Sequence, residues 1–223
     1  ISSTPLESGE IIIIVANSPS PIELCDETNN DGFSIFDLTI TEPEILGTQT
    51  DLTVTYYVTT ADAETGVNAI ANPTSYVNII NPQTLFARLS DASNNYFDTT
   101  QLTLTVLPVP LTNTPTPLEA CDDNNDGFAA FMLTDKDAEI LNGQDPLLYI
   151  VSYHETLSDA ESNTGPLTSP YFNDVPFNQT VFARIENLSS GCFGIVALIL
   201  QIETANPTIT CPEDQEGSVD ATC

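Results

Sequence analysis

An acidic loop closed by glycine, Cys25-Asp-Glu-Thr-Asn-Asn-Asp-Gly-Phe33, returns at Cys121-Asp-Asp-Asn-Asn-Asp-Gly-Phe128, 96 residues further on. The correspondence runs far beyond the loop. Ser34–Thr39 matches Ala129–Thr134, Glu44–Leu46 matches Glu139–Leu141, and Val54–Tyr56 matches Val151–Tyr153. Asp62-Ala-Glu64 returns as Asp159-Ala-Glu161, and Gln83-Thr-Leu-Phe-Ala-Arg88 as Gln179-Thr-Val-Phe-Ala-Arg184, with offsets held between 95 and 97. A fixed period is the mark of an array of similar modules. Stalks and adhesive surface proteins are built this way far more often than enzymes, and 223 residues leave room for about two domains.

The module type follows from its short strands. Thr53–Thr59, Leu85–Leu89, Leu102–Val106, Val181–Ile185 and Val196–Ile202 alternate β-branched or aromatic residues with polar ones. Asn-Pro and Asn-rich turns separate them, as at Asn72-Pro73, Asn81-Pro82 and Ser93–Asn95. Only Asp135–Asn142 reads as a short helix. About seven strands per period without helical alternation predict an all-β chain of tandem immunoglobulin-like β-sandwich modules. Proline-rich joints set the boundaries. Residues 1–20 read as the closing strand of a preceding module, or as a strand donated to a neighbouring subunit. Residues 21–110 form module 1, 111–116 a linker, 117–207 module 2, and 208–223 the opening of a further module.

Charge removes whole classes of partner. With 32 Asp and Glu against three Lys and Arg, the net charge is −29. Nucleic acid is excluded, because its phosphates need cationic side chains, and an anionic membrane surface would repel the chain. The longest apolar run, Ile11–Ala16, is too short to cross a bilayer. Divalent cations would relieve the self-repulsion.

The acidic loops carry the candidate metal sites. Asp122, Asn124 and Asp126 place side-chain oxygens at alternate positions before Gly127, a spacing that suits calcium (Ca2+), which takes six to eight oxygens at about 2.3–2.6 Å. Loop 1 offers Asn29, Asp31, either Asp26 or Glu27, and Asp37 further on. Met132 stands where module 1 has Asp37, so site 2 needs Asp123, Asp135 or water. The competing reading is a pair of polar turns in which Asp and Asn cap their own backbone.

Five cysteines suggest disulfides and an oxidising compartment. Cys121 and Cys192, near the start and end of module 2, are expected to pair, and so are Cys211 and Cys223. Tyr96 occupies the position of Cys192 in module 1, which leaves Cys25 a buried free thiol or one linked to a cysteine outside these 223 residues. Arg88 and Arg184 recur in phase and are expected to form structural ion pairs with Asp62 and Asp159, or with Glu64 and Glu161; recognition of an acidic ligand is the lesser alternative. Tyr56, Tyr153, Tyr76 and Tyr171 read as core or corner residues rather than a sugar-stacking platform. His154, replaced by Tyr57 in module 1, reads as an ordinary strand residue, which removes Ser/His/Asp and Cys/His catalysis. No catalytic set stands out.

The Cys-Asp-x-x-x-Asp-Gly-Phe-x-x-Phe-x-Leu-Thr opening, the Val-x-Tyr strand, the Asp-Ala-Glu segment and the Gln-Thr-x-Phe-Ala-Arg strand resemble repeats of large surface proteins of gliding bacteria, exported by the type IX secretion pathway. The resemblance covers residues 21–207. Pro207–Asp214 with Cys223 is similar to the start of a hyalin-type (HYR) repeat. The resemblance implies secretion, surface anchoring and an adhesive or stalk role, and with the acidic loops the expected function is an extracellular adhesive or structural segment stiffened by calcium. Its partners would be neighbouring modules or further copies of the chain, and a carbohydrate-binding module for surface polysaccharide is the alternative.

Overall fold

A computed structural model describes residues 13–92, 96–122 and 124–204, with Thr204 by its backbone alone. The chain divides into two compact units. The first runs to Leu111 and takes in Asn187–Gly194; the second comprises Thr112–Glu186 and the residues from Ile195 onward.

In the first unit the strands are β1 (Ile22–Cys25), β2 (Ile35–Phe36), β3 (Leu52–Tyr57), β4 (Tyr76–Val77), β5 (Gln83–Asp91) and β6 (Phe97–Leu107). They form a sheet ordered β1-β6-β5-β3 and a two-stranded ribbon of β2 and β4. Strand β1 runs parallel to β6, Ile22 opposite Leu104 and Cys25 opposite Leu107, and the other pairs are antiparallel. Alternation places Leu85, Ala87 and Leu89 of β5 and Leu102, Leu104 and Val106 of β6 in one core with Phe36, Leu38, Ile45 and Tyr56. At roughly 1.5–3 kcal/mol per large buried side chain, this apolar face is the main stabilising term.

The second unit repeats the plan with β7 (Leu118–Asp122), β8 (Ala130–Phe131), β9 (Tyr149–His154), β10 (Tyr171–Phe172), β11 (Asn178–Asn187) and β12 (Phe193–Thr204). Its order is β7-β12-β11-β9 with a β8–β10 ribbon, and β7 is parallel to β12. Phe131, Leu133, Ile140, Val181, Ile185, Leu198 and Leu200 fill its core. The chain is mostly β, in tandem immunoglobulin-like domains, as the strand pattern predicts. Among the described residues each unit shows six strands, against about seven expected per period.

Four short helices appear where one was expected: α1 (Glu42–Leu46), α2 (Thr60–Thr65), α3 (Asp137–Leu141) and α4 (Leu157–Ser162). Their ends define them, because five or six residues are too few for a helical period to show. Thr59 and Thr156 accept from the backbone N–H of Asp62 and Asp159, and Gly66 and Asn163 close α2 and α4 in the left-handed region. No helix among the described residues is long and apolar enough to cross a membrane.

The segment leading into each unit is tied to that unit's first helix. Gln49 accepts from Val15 N (3.1 Å) and donates to Val15 O (2.7 Å), while Ile14 and Ala16 pack on the first core. Ser20 N donates to Glu44 and Asn17 Nδ2 to Ile45 O (3.2 Å). In the second unit Thr116 N donates to Glu139 and Asn113 Nδ2 to Glu139 O (3.3 Å). Residues 1–12, the rest of the expected closing or donor strand, lie outside the described residues, as does the expected module over 208–223.

Candidate functional site at the acidic loops and joints

Both acidic loops fold around their first aspartate. Asp26, buried at the end of β1, accepts from Glu27 N (2.7 Å) and, across the loop, from Gly32 N (2.7 Å). Asp122 accepts from Asn124 N and Asn125 N (3.0 Å each) and from Gly127 N (2.7 Å). Asp31 and Asp126 each take one backbone N–H, from Phe33 (2.9 Å) and Phe128 (3.0 Å), and one side-chain amide, from Asn29 (2.7 Å) and Asn124 (2.8 Å). Gly32 and Gly127 turn at φ +79° and +85°, where any side chain is strained.

Among the described residues no group of three or more His, Cys, Asp or Glu side chains gathers as a metal site. Asp37 caps the turn over Leu38–Thr41 by accepting from Thr39 N (3.0 Å). Met132 at the matching place offers no such cap, and Asp123 lies outside the described residues. Loop amides donate to the carboxylates of Asp26, Asp31, Asp122 and Asp126.

The first loop also grips the strand that leaves its module. Asn30, at φ +47°, accepts from Val109 N (2.8 Å) and donates to Val109 O (3.1 Å), and Asp26 N donates to Leu107 O (2.8 Å). An amide side chain here does what a neighbouring strand would do, and fixes the first residues of the proline-rich joint. Asn81 holds Val106 in the same way (2.9 and 2.7 Å). Buried Asn78 and Asn173 brace the loops from the ribbon side: each accepts from Ser34 N or Ala129 N, and donates to Gly32 O or Gly127 O. Sequence reasoning missed these asparagines. Their recurrence in phase, Asn78 with Asn173, was the available signal.

The two arginines recur as expected, but their partners need correction. Arg88, 3% exposed, donates from one Nη to Ala63 O (2.8 Å) and Glu64 O (2.9 Å), and its guanidinium lies 3.4 Å from the centre of the Phe97 ring. Arg184 donates to Ala160 O (3.0 Å) and Glu161 O (3.5 Å) and pairs with Glu186 (2.7 Å). Both thus serve carbonyls in the last turns of α2 and α4, which have no partner within the helix. Asp62 and Asp159 act instead at the start of those helices. Asp62 accepts from Thr59 Oγ1 (2.6 Å) and Asn68 Nδ2 (2.8 Å), and these bonds, that from Thr59 foremost, hold its carboxyl below the usual carboxylate range. Asp159 accepts from Thr156 Oγ1 (2.6 Å) and Thr164 Oγ1 (3.3 Å).

The tyrosines sit at core corners: Tyr56 donates to Leu38 O (2.8 Å), Tyr153 to Asp137 (2.6 Å), and Tyr76 and Tyr171 accept from Gln83 and Gln179. His154 is fully buried. Its Nδ1 donates to Thr164 O (2.8 Å), so its Nε2 accepts from Ser152 (2.9 Å).

The disulfide joins Cys25 to Cys192, Sγ to Sγ 2.10 Å with Cα atoms 5.5 Å apart, and Cys121 is free and exposed. The expected Cys121–Cys192 pair is therefore corrected. The hairpin segment Asn187–Gly194 that carries Cys192 packs with the first unit, where Cys25 ends β1, and Cys192 is fully buried there. Cys121 points outward from β7 while Leu118 and Ala120 turn to the core of the second unit. The expected Cys211–Cys223 pair lies outside the described residues.

An open cleft of about 270 Å³ lies beside loop 1, lined by Glu27, Asn29, Asp31, Phe33, Ser34, Ile35 and Val77. A second, of about 300 Å³, is mostly apolar and lies against α3, between Asp137, Leu141 and Pro146.

No curated protein matches the chain. Among solved structures it is similar to extracellular domains 3–5 of Drosophila OTK (13% identity, TM-score 0.32, 84% of this chain and 60% of that one). It is also similar to an I-band fragment of titin (12%, 0.27, 84% and 64%). A third likeness is to a SusE-like surface-located polysaccharide-binding protein from the heparin utilisation locus of Bacteroides thetaiotaomicron (8%, 0.33, 85% and 34%). The chain spans less than two thirds of each of these structures. The sequence model of the Flavobacterium inter-domain disulphide bond domain matches twice, over residues 21–110 and 117–207. A disulfide that bonds a cysteine of the first matched stretch to one of the second accords with that description, and the chain belongs to this family, in two tandem copies.

Proposed function

We propose that the chain is a structural repeat segment of an extracellular bacterial surface protein, which spaces or presents other parts of that protein. The observation that carries this is the Cys25–Cys192 bond: it needs an oxidising compartment and holds two copies of one module together. Asparagines that tie the joints to their modules, Asn17 and Asn113 in phase and Asn30 beside them, add to the same purpose. Export by the type IX pathway and attachment to the cell surface rest on the resemblance of the repeat motifs. Protease treatment of intact cells tests the location: loss of the protein from unbroken cells supports it, and protection until lysis overturns it. No catalytic role belongs to this function. His154 is engaged within its own strand layer, and the carboxylates of the loops hold backbone amides.

The exposed Cys121 occupies the place in module 2 that Cys25 holds in module 1. By the same register it would bond to a hairpin cysteine of a module that follows. Tyr96 in module 1 leaves that module without the acceptor cysteine.

Calcium is a separate stiffening proposal, supported by the doubled Asp-x-Asn-x-Asp-Gly spacing and the charge of −29. An ion would have to draw Asn29 and Asp31, or Asn124 and Asp126, away from each other. Calorimetry in calcium and in chelator decides it: a melting temperature higher in calcium supports bound ion, and identical traces leave the loops as self-capped turns.

The cleft beside loop 1, with Phe33 next to Glu27, Asn29 and Asp31, favours a second reading, a carbohydrate-binding module. A glycan array separates the two, since a spacer is silent on it.

A further inference from the structure

The structure assigns the chain a tension-carrying function in which pull bypasses the stretch between Cys25 and Cys192. The bond between Cys25 and Cys192 has a sequence separation of 167 residues. Force applied between a point before β1 and a point after β12 meets two covalent routes. One follows the backbone from Cys25 to Cys192; the other crosses a single S–S bond. The short route becomes taut first and carries the load. Its two segments, β1 of four residues and β12 of 12, are strands already, and a strand at roughly 3.3 Å per residue has little length left to give.

Everything between the two cysteines lies off this route. That includes strands β2 to β11, all four helices, both acidic loops and the proline-rich joint at 109–117. Peeling β1 away removes only four residues from the edge of its sheet, where they pair with β6 alone. The stretch held back would otherwise extend by about 550–600 Å, at 3.3–3.6 Å per residue. The segment thus keeps a nearly constant length under pull, and a single backbone cut inside the closed loop leaves the two ends joined. This function rests on the proposed structural role, but its test is independent of where the protein resides.

The test is single-molecule stretching of the whole chain between handles at its two ends, with the bond confirmed by mass before each pull. The oxidised chain is expected to reach an end-to-end length of no more than about 200 Å, the span of the residues outside the loop at 3.3–3.6 Å each. After dithiothreitol the same chain should release a further 550–600 Å or so, as the two modules unfold. Cys25→Ser should match the reduced chain; should that variant fail to fold, reduction of the already folded protein still gives the comparison. Equal extension in the oxidised and reduced states overturns the tension function while leaving the surface location untouched. Protection from protease on intact cells would do the reverse.

Discussion

At the scale of single residues, the charged groups act through backbone as much as through each other. Arg88 supplies donors to two carbonyls at the end of α2 while buried beneath Phe97. Arg88→Met keeps the apolar stem but leaves those carbonyls and the covered site unserved. It should cost about 3 kcal/mol in urea denaturation, and Arg88→Lys should recover little of it. Asp137 behaves oppositely to Asp62. Burial raises its carboxyl above the usual range, although the Tyr153 hydroxyl donates to it. The folded state therefore holds that proton to a higher pH than the unfolded chain, so ionisation costs stability as pH rises through the raised value. Asp137→Asn should melt higher than the parent at pH 7, and the difference should vanish on acidification below the carboxylate range. Asp62, with its carboxyl depressed, contributes stability at neutral pH that is lost as pH falls through its folded value. Repetition exposed the arginines in the sequence, but their partners were not legible. A carboxylate one or two residues from the right carbonyl looks like the natural partner for a guanidinium, and spacing alone does not reveal that α2 turns its C-terminal end toward it.

At the scale of elements, strands were legible, while of the helices only α3, inside the expected Asp135–Asn142, was. Leu85, Ala87 and Leu89 alternate strictly, and that period survives in any context. A helix of five or six residues shows no period, and its caps, such as Thr59 and Gly66, are common turn residues too. The acidic loops were legible as loops, while two purposes with the same composition, ion binding and self-capping, were not separable from the sequence. What decides is direction: Asp26 and Asp122 point into the turn and meet amides. The two loops also differ in tolerance. A Cβ on Gly127 would lie 2.7 Å from Pro176 Cβ, whereas one on Gly32 meets nothing closer than 3.5 Å. Both sites carry positive φ, so Gly32→Ala should cost about 1–2 kcal/mol from backbone strain alone. Gly127→Ala should cost about 1–3 kcal/mol more from the clash. Thermal melts of the two variants check the order.

At the scale of the whole molecule, the repeat told how many modules to expect, and the family match falls on the same two stretches. The bond was legible only as a need for disulfides. Cys121 and Cys192 share a repeat, which made them the natural pair in one dimension. The hairpin that carries Cys192 packs with the other unit, a tertiary fact that no local pattern records. Closing a loop with a separation of 167 residues restrains the unfolded chain strongly. The chain-entropy estimate is about 5 kcal/mol, so Cys25→Ser should lower the urea midpoint accordingly. The most direct test of the stapled pair is a peptide map of the protein, alkylated and digested without reductant. One cross-linked peptide holding Cys25 and Cys192, without Cys121, is the predicted result. A Cys121–Cys192 peptide, or Cys25 and Cys192 both alkylated, would contradict it.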